Sequence, residues 1–388
     1  MATPDKLFEN FPPVSKESWL RQLEKDLKGK PLQDLQWHLE EHIELAPFYH
    51  PEDGPFGHPP LPGKRTNNDW EIGEYIEAED FQLANAEALE GLQGGVEAPL
   101  FRLRQAVDAT KLAQLLHDIR LDIIAANFEE HYTAIEPWAI FRYFTELLET
   151  RGFNPSAVGG SIDFDPLLDW SNPPIDKLYE LMAYCAEQMP RFRVLQANAQ
   201  RFHSGPDDSS IELAYTIAKG SEYLARLTAL GLPAEKVNAH MQFAVSISKS
   251  YFVEIAKLRA LRLLWANVLK AFGAPGLEPF IVVHFAEESQ DNSPNTNMIR
   301  ASTQAMAAVI GGASRLYVLP ANHALKEPST AFTRRIARNV QHILKMESHL
   351  HQAADPGAGS FYIEKLTDKL AGEAWSKFQE LEAAGEFH

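Results

Sequence analysis

The segment Phe280-Ile281-Val282-Val283-His284-Phe285 decides the fold class. Its near-continuous apolar run is typical of a strand that is buried on both faces of a parallel sheet. Helical patterns stand on either side of it, one from about Ser246 to Phe272 and one from Asn297 to Ile310. Because parallel strands are usually joined by crossover helices, this arrangement predicts a domain in which strands and helices alternate.

The same alternation continues along the chain. Further strand-like segments, with helical patterns between them, are Trp70–Ile76, Pro99–Leu103, Leu121–Ala125, Val158–Ile162, Arg193–Ala197 and Leu316–Leu319. Seven or eight strand–helix units predict an α/β fold, a (β/α)8 TIM barrel, over residues 66–388. A doubly wound open sheet is the alternative, but it usually carries a Gly-x-Gly-x-x-Gly phosphate loop, which this sequence lacks.

Residues 1–65 have a different character. Ser15 can cap a helix that carries apolar residues at helical spacing as far as Leu27. The segment from Pro47 to Gly63 then holds six prolines, a density that excludes a helix or a central strand. The aromatic side chains of this extended arm can be buried against its own domain or against a partner. We predict that residues 1–65 form a partner-binding extension of the barrel.

The composition excludes several classes of function. The 388 residues include 36 Lys and Arg against 53 Asp and Glu, so the formal net charge is −17 and a nucleic-acid partner is not expected. Cys185 is the single cysteine, which rules out an intrachain disulfide and a zinc or iron–sulfur site built from several thiolates. No apolar run reaches the roughly 20 residues that span a bilayer, and the N-terminus does not resemble a signal peptide. We therefore predict a cytoplasmic protein with no membrane partner.

Two histidines are well placed for chemistry, His203 and His284. The Glu287-Glu288 pair follows the Phe280–Phe285 strand, at the face where barrel active sites lie, and could do acid–base work or simply face water. Three later histidines lack the i,i+4 spacing of a metal pair on a helix: His342, His349 and His351. The Gly-x-Ser-x-Gly and Walker motifs are absent. From these residues alone we predict a barrel, no metal site and no specific reaction.

Long stretches of the chain resemble the methylmalonyl-CoA mutase family. In the barrel region these stretches are YFVEIAKLRALRLLWA (251–266), NMIRASTQAMAAVIGG (297–312), RRIARNVQHILKMESHL (334–350) and DPGAGSFYIEKLTDKLAGEAWSKFQELEAAGEF (355–387). Near the N-terminus, WLRQLEKDLKGKPLQDLQW (19–37) and NDWEIGEYI (68–76) are similar to the small (beta), non-catalytic subunit of bacterial two-chain mutases. The resemblance covers nearly the whole chain.

The resemblance also implies a reaction. The family isomerises methylmalonyl-CoA to succinyl-CoA by radical chemistry that adenosylcobalamin supplies, while the protein orients the substrate. Catalytic chains hold the CoA thioester inside the barrel, and a C-terminal domain with an Asp-x-His-x-x-Gly motif binds cobalamin. This sequence has no such motif and reaches His388 directly after the barrel helices. We therefore expect a chain that lacks the cobalamin-binding domain and binds no cofactor, with adenosylcobalamin held by its partner chain.

The sequence departs from catalytic chains at the positions that the family uses for its reaction. His203 falls on the active-site histidine, but Phe202 stands where catalytic chains have a tyrosine. His284 matches the histidine of a His-x-Gln-Thr-Ser-Gly strand end, but Ala286 replaces the glutamine. The Glu287-Glu288 pair that follows would repel an anionic CoA thioester. The resemblance therefore implies that His203 and His284 are relics of family positions, and it gives no catalytic residue.

Three hypotheses follow from the sequence. In the first, the chain is the non-catalytic small subunit of an isomerase, and it packs against and stabilises the catalytic large subunit of methylmalonyl-CoA mutase. The alternative is an active acyl-CoA mutase barrel that uses a cobalamin domain on a separate chain, with His203 and His284 polarising the substrate. A third is a degenerate barrel that forms a homodimer in isolation and has an unrelated binding role.

Overall fold

The computed structural model describes residues 12–40, 42–54, 65–130 and 136–385. The N-terminal extension contains one helix and a two-stranded hairpin: α1 (Lys16–Asp26), β1 (Trp37–Glu40) and β2 (Ile43–Leu45). Ser15 caps α1 as predicted, because its side chain accepts a hydrogen bond from the Ser18 N–H. The arm predicted for residues 47–63 is described only as far as Gly54, and its remainder lies outside the described residues.

Within the described residues, nine further strands form one parallel sheet. They are β3 (Glu71–Ala78), β4 (Ala98–Leu103), β5 (Ala125–Glu130), β6 (Gly159–Ile162), β7 (Phe192–Arg193), β8 (Leu195–Asn198), β9 (Met241–Ile247), β10 (Ile281–Phe285) and β11 (Arg315–Tyr317). Their order is β7-β6-β5-β4-β3-β11-β10-β9-β8. The two end strands, β7 and β8, are consecutive in the chain and separated only by Val194. Together they fill one position of the wall, so the sheet closes and the predicted (β/α)8 barrel is confirmed.

Helices connect the strands and surround the barrel. In the described ranges after α1 they are α2 (Phe81–Gln93), α3 (Ala109–Leu115), α4 (Pro137–Thr150), α5 (Pro166–Asp169), α6 (Ile175–Gln188), α7 (Ser209–Ala229), α8 (Ala234–Ala239), α9 (Tyr251–Ala271), α10 (Pro294–Ile310), α11 (Ala331–His342) and α12 (Phe361–Ala384). A π-helical turn, Ile343–Glu347, continues α11. Side chains of Asp80, Asp108, Ser293 and Thr330 cap four of these helices, which explains where they begin. None of the helices described is both long and apolar enough to span a bilayer.

Two sequence predictions of element bounds were wrong. The strand predicted at Leu121–Ala125 begins only at Ala125, because the preceding residues form a turn in which Ile123 is exposed. The helix predicted from Ser246 begins at Tyr251, and β9 occupies the residues before it. Every residue of β9 is buried, so its sequence lacks the alternation that marks a half-buried strand.

The hairpin of the extension packs on the barrel. Leu39, Ile43 and Leu45 are buried in the main core, and the Trp37 ring stacks on Tyr362 of α12 with centroids 6.5 Å apart. Helix α1, in contrast, contains no buried residue. The extension is therefore anchored to the barrel through its hairpin rather than through its helix.

Candidate functional site

Aromatic side chains from three strands fill the inside of the barrel. Tyr75 comes from β3, His284 from β10 and Tyr317 from β11, which lies between the other two strands. The ring centroids of Tyr75 and His284 lie 5.9 Å apart, those of His284 and Tyr317 5.1 Å, and those of Tyr75 and Tyr317 5.2 Å. All three side chains are buried. We call these three side chains the aromatic plug.

A glycine makes room for the plug. In the parallel pairing of β3 with β11, Gly73 stands directly opposite Tyr317. A Cβ atom on Gly73 would lie 2.5 Å from the Tyr317 ring and 2.6 Å from the Leu316 carbonyl oxygen. Since real contacts of a Cβ atom are longer than 3.0 Å, only glycine allows this ring to lie across the barrel wall.

Hydrogen bonding fixes the protonation states in the plug. Tyr75 Oη lies 2.8 Å from His284 Nδ1. Burial, assisted by the nearby Arg102 and Arg315 charges, lowers the pKa of His284 to about 3, and burial raises the pKa of Tyr75. His284 is therefore a neutral ring whose Nδ1 accepts the Tyr75 proton. The Arg102 guanidinium, paired with Glu129 at 3.0 Å, lies 4.0 Å from the Tyr75 ring centroid and covers it.

Polar side chains fill the barrel towards the N-terminal ends of the strands. Arg315 is buried, pairs with Glu71 at 2.6 Å and donates to the Ser161 hydroxyl at 3.3 Å. Gln242 donates to Gln196 at 2.6 Å and to Ser161 at 3.2 Å. The cavity that remains between this layer and the plug is about 10 Å³. That volume holds roughly one water molecule.

His203 lies at the mouth of the barrel between two carboxylates. Its Nδ1 is 2.9 Å from Glu212 Oε2, and its Nε2 is 2.8 Å from Glu288 Oε1. The same Glu212 oxygen accepts from Lys257 Nζ at 2.9 Å, and Lys257 pairs with Glu254 at 2.8 Å. Glu212 and Glu254 are buried against a single Lys257, so a protonated His203 balances the charge of this group.

The pKa of His203 reflects this balance. Burial alone lowers it, and the Lys257 charge acts in the same direction. The hydrogen bond to Glu212 and the negative charges of Glu212 and Glu254 outweigh these effects and raise the pKa of His203 above its usual value. Both ring nitrogens then donate to carboxylates, which leaves neither free for a substrate.

The two predicted site histidines therefore belong to different networks. His284 lies within the barrel and His203 lies in the loop after β8, and the structure gives them no common partner. The Glu287-Glu288 pair is also divided, because Glu288 holds His203 whereas Glu287 is exposed, with His323 3.4 Å away. Phe202, which replaces a tyrosine, stacks on Tyr215 with centroids 4.7 Å apart.

Sequence reasoning missed the residues that close the barrel. Tyr75 and Tyr317 lie in segments predicted to be strands, but an aromatic residue in a strand is ordinary and gives no sign of which rings meet. Arg102 and Arg315 stand in the same strands' neighbourhood and were not singled out. The only available signal was Gly73 in the middle of a strand pattern, which indicates a close approach of another group.

The described residues do not fit the role of holding cobalamin or another metal group. Among them, no three His, Cys, Asp or Glu side chains come together in a way that could bind a metal ion. Cys185 is buried, and burial raises the pKa of its thiol. His284 is a hydrogen-bond acceptor inside the plug, and both nitrogens of His203 are engaged.

Comparison with known proteins places this geometry in a family. The sequence profile of the family described as methylmalonyl-CoA mutase matches residues 105–388. The methylmalonyl-CoA mutase small subunit of Porphyromonas gingivalis is 34% identical, over 99% of this chain and 65% of its own length. The small subunit of Streptomyces virginiae is 32% identical, over 97% of this chain and 65% of its own length. The large subunit from the same organism is 28% identical, over 96% of this chain and 57% of its own length.

The chain thus spans 65% of the length of these two small-subunit relatives. The family match covers most of the barrel, including β5 to β11 and the loops that carry His203 and Glu288. Small and large subunits of the enzyme both match this chain. This chain belongs to the methylmalonyl-CoA mutase family.

Proposed function

We propose that this chain is a non-catalytic small subunit of a methylmalonyl-CoA mutase and that it stabilises the catalytic large subunit. The observation that supports the proposal most strongly is the aromatic plug. Tyr75, His284 and Tyr317 occupy the barrel axis, where the catalytic chains of the family hold the CoA thioester. A barrel that is filled in this way has no room for the substrate.

The volumes support the same conclusion. Sites for small molecules typically measure about 300–1,000 Å³. The cavity inside this barrel is about 10 Å³. Opening it would require the plug rings to leave buried positions, and fully burying one large apolar side chain contributes about 1.5–3 kcal/mol. Entry of an acyl-CoA would therefore compete with the packing of the core.

The positions of the two histidines support the proposal at the level of chemistry. A histidine that polarises a thioester carbonyl must present a free N–H to it. In this chain His203 donates to Glu212 and Glu288, and His284 accepts from Tyr75. Both side chains thus have structural partners at the atoms that a substrate would need.

In the proposal, adenosylcobalamin belongs to the large subunit. The family depends on this cofactor, and the described part of this chain offers no donor set that fits its cobalt. The contribution of this chain is then thermodynamic, because a partner that binds only the folded large subunit shifts its equilibrium away from the unfolded state.

Helix α1 is the part of the described extension that we assign to the partner. Its apolar face carries Trp19, Leu20 and Leu23, and all three are only half-buried by the barrel and the arm. The hairpin that follows is already packed on its own barrel. The exposed half of the α1 face is therefore available to bury apolar surface against the large subunit.

Reconstitution with the large subunit tests the proposal. The variants His203→Gln and His284→Gln are made in this chain, their folding is checked by circular dichroism, and turnover of methylmalonyl-CoA by the complex is measured. We expect turnover within about twofold of the unmodified complex, since neither residue acts on the substrate. The matching histidine changes in the large subunit are the control.

The alternative, an active barrel that takes cobalamin from a separate chain, makes the opposite prediction. Removing a group that transfers protons or polarises the carbonyl costs about 10²–10⁴-fold in rate. A loss of that size from changes in this chain alone would contradict the proposed non-catalytic role.

A further inference from the structure

A large groove lies beside the barrel mouth, away from the plug. It is bounded by the C-terminal ends of β3 and β4, by the start of α2, and by the segment 319–329 between β11 and α11. Its volume is about 850 Å³, which is within the usual range for a binding site. None of the hydrogen bonds that hold the plug or His203 requires the groove, so its function has to be argued from its own lining.

Negative charge dominates that lining. The described residues around the groove include six carboxylates against three arginine or lysine side chains, an excess of three negative charges when His323 is neutral. The carboxylates are Glu77, Glu79, Asp80, Glu87, Glu287 and Glu327. Like charges gathered in one concave surface raise the local concentration of cations and repel anions. The groove therefore disfavours the phosphates of a CoA ester.

Two of the three cations are already neutralised within the protein. Arg102 pairs with Glu129 at 3.0 Å and Glu77 at 3.3 Å, and Arg104 pairs with the same Glu77 at 2.7 Å. Lys326 remains as the one lining cation with no ion pair among the described residues. The arginines thus do not offset the excess negative charge of the groove.

Two carboxylates in the described lining have no cationic partner. Glu79 and Glu327 are exposed and form no ion pair within the part of the chain that the structure describes. Glu87, in contrast, pairs with Arg334 at 2.6 Å, and Asp80 caps α2. Glu79 and Glu327 are therefore the side chains that an incoming cation would meet.

A second observation also indicates a ligand. Asn322 lines the groove and is only 6% exposed, and its Oδ1 accepts no hydrogen bond although its Nδ2 donates to the Pro328 carbonyl at 2.9 Å. A buried acceptor without a donor is costly, and such atoms usually have a partner in the working protein. The groove thus lacks donors and positive charge, and Lys and Arg side chains supply both.

Apolar surface in the groove identifies the kind of cation. Leu83 is 61% exposed at one side, and Leu319, Pro320 and Pro328 form part of the other. The long stems of Lys and Arg pack on such surface while their charged ends reach carboxylates. A metal ion does not use it, and no three acidic side chains described here are arranged to bind one.

We propose that this groove binds an arginine- and lysine-bearing segment of another protein chain. The segment lies along the groove, its charges meet Glu79 and Glu327, and its stems pack on Leu83 and the prolines. This inference is independent of whether the chain turns over substrate, because it uses no residue of the barrel interior.

Fluorescence anisotropy with a labelled hexa-arginine peptide tests the inference, with hexa-glutamate as the negative probe. The double variant Glu79→Gln with Glu327→Gln removes two exposed charges in the groove. The control, Glu24→Gln with Glu235→Gln, removes two exposed charges elsewhere and changes the net charge equally. We expect Kd for hexa-arginine to rise at least tenfold in the groove variant and less than twofold in the control.

A change of opposite sign makes the test more stringent. Lys326→Gln removes the free cation of the groove, so it should tighten peptide binding about threefold. Equal losses in the groove and control variants would show attraction by the net charge of −17 alone and would overturn the proposal. Weaker binding by Lys326→Gln, or no hexa-arginine binding by the unmodified chain, would overturn it as well.

Discussion

Gly73 and Tyr317 show how one residue determines what the barrel can contain. They face each other across two parallel strands, and the absence of a Cβ at Gly73 lets the Tyr317 ring lie over the wall. The ring then contacts His284, which accepts a hydrogen bond from Tyr75. The filled interior therefore depends on a small residue at one position as much as on large residues at three others.

This dependence predicts that Gly73→Ala destabilises the protein. The added methyl group would overlap the Tyr317 ring and the Leu316 carbonyl, and overpacking of this kind costs about 1–3 kcal/mol. The free energy of unfolding, measured by urea titration, should fall by that amount. Gly372→Ala is the control, because its Cβ meets nothing within 4 Å on helix α12, and we expect it to stabilise by up to about 1 kcal/mol.

His203 predicts a pH dependence of stability. Its pKa is raised in the folded protein, so its contribution is fully present below the unfolded pKa of about 6.5 and is lost as the pH rises through the folded pKa. A hydrogen bond to a charged group contributes about 1.5–3 kcal/mol. His203→Gln should therefore lower the free energy of unfolding by that amount at pH 6, and the difference should shrink at higher pH.

Thermal or urea unfolding of both proteins between pH 5.5 and 9 measures this difference. The groups that face His203 are Glu212 and Glu288, with Lys257 and Glu254 behind them. A difference between the two proteins that stays constant over the whole pH range would contradict a charged His203.

The sequence could indicate these histidines but not their partners. His203 and His284 stand out by type, by position near strand ends and by their match to family positions. The partner Glu288 is 85 residues from His203, and Tyr75 is 209 residues from His284. Only closure of the barrel brings such distant residues together, and no local pattern encodes that closure in a single sequence.

At the scale of elements, burial decides which strands a sequence pattern can predict. Strand β10 is a short apolar run bounded by clear breaks, and it was found within one residue. Strand β9 is equally buried but continues almost directly into α9, so the helical pattern was extended over its end. The strand predicted before Ala125 failed for a different reason, because the apolar Ile123 lies in a turn.

The extension predicts different responses of its two apolar elements. Leu45 of the hairpin is fully buried, so Leu45→Ala should cost about 2–5 kcal/mol of stability in the isolated chain. Leu23 of α1 is half-buried, so Leu23→Ala should cost less than about 1 kcal/mol in the isolated chain. In our proposal, only the second change weakens the complex with the large subunit without destabilising this chain.

Urea unfolding of the isolated variants and co-purification with the large subunit measure the two effects separately. Full recovery of the large subunit with Leu23→Ala and Leu23→Asp would remove α1 from the proposed interface. It would leave the filled barrel, and hence the non-catalytic role, untouched.

At the scale of the whole molecule, the chain combines a family barrel with a closed interior and an acidic exterior. Hydrophobic alternation in the sequence predicted the barrel, and motif resemblance predicted the family. The closed interior was not predicted, because it arises from three strands that meet across the barrel axis. The net charge of −17 was evident from composition, whereas its concentration in one groove became visible only in three dimensions.

The central claim is that the barrel does not admit the substrate of its family. Calorimetric titration of the purified chain with methylmalonyl-CoA tests it most directly, with the large subunit and its cofactor as the positive control. We predict no binding heat up to roughly 1 mM ligand, which corresponds to a binding free energy weaker than about −4 kcal/mol. Micromolar binding by this chain alone would contradict the account, because it would require an opening where the structure places Tyr75, His284 and Tyr317.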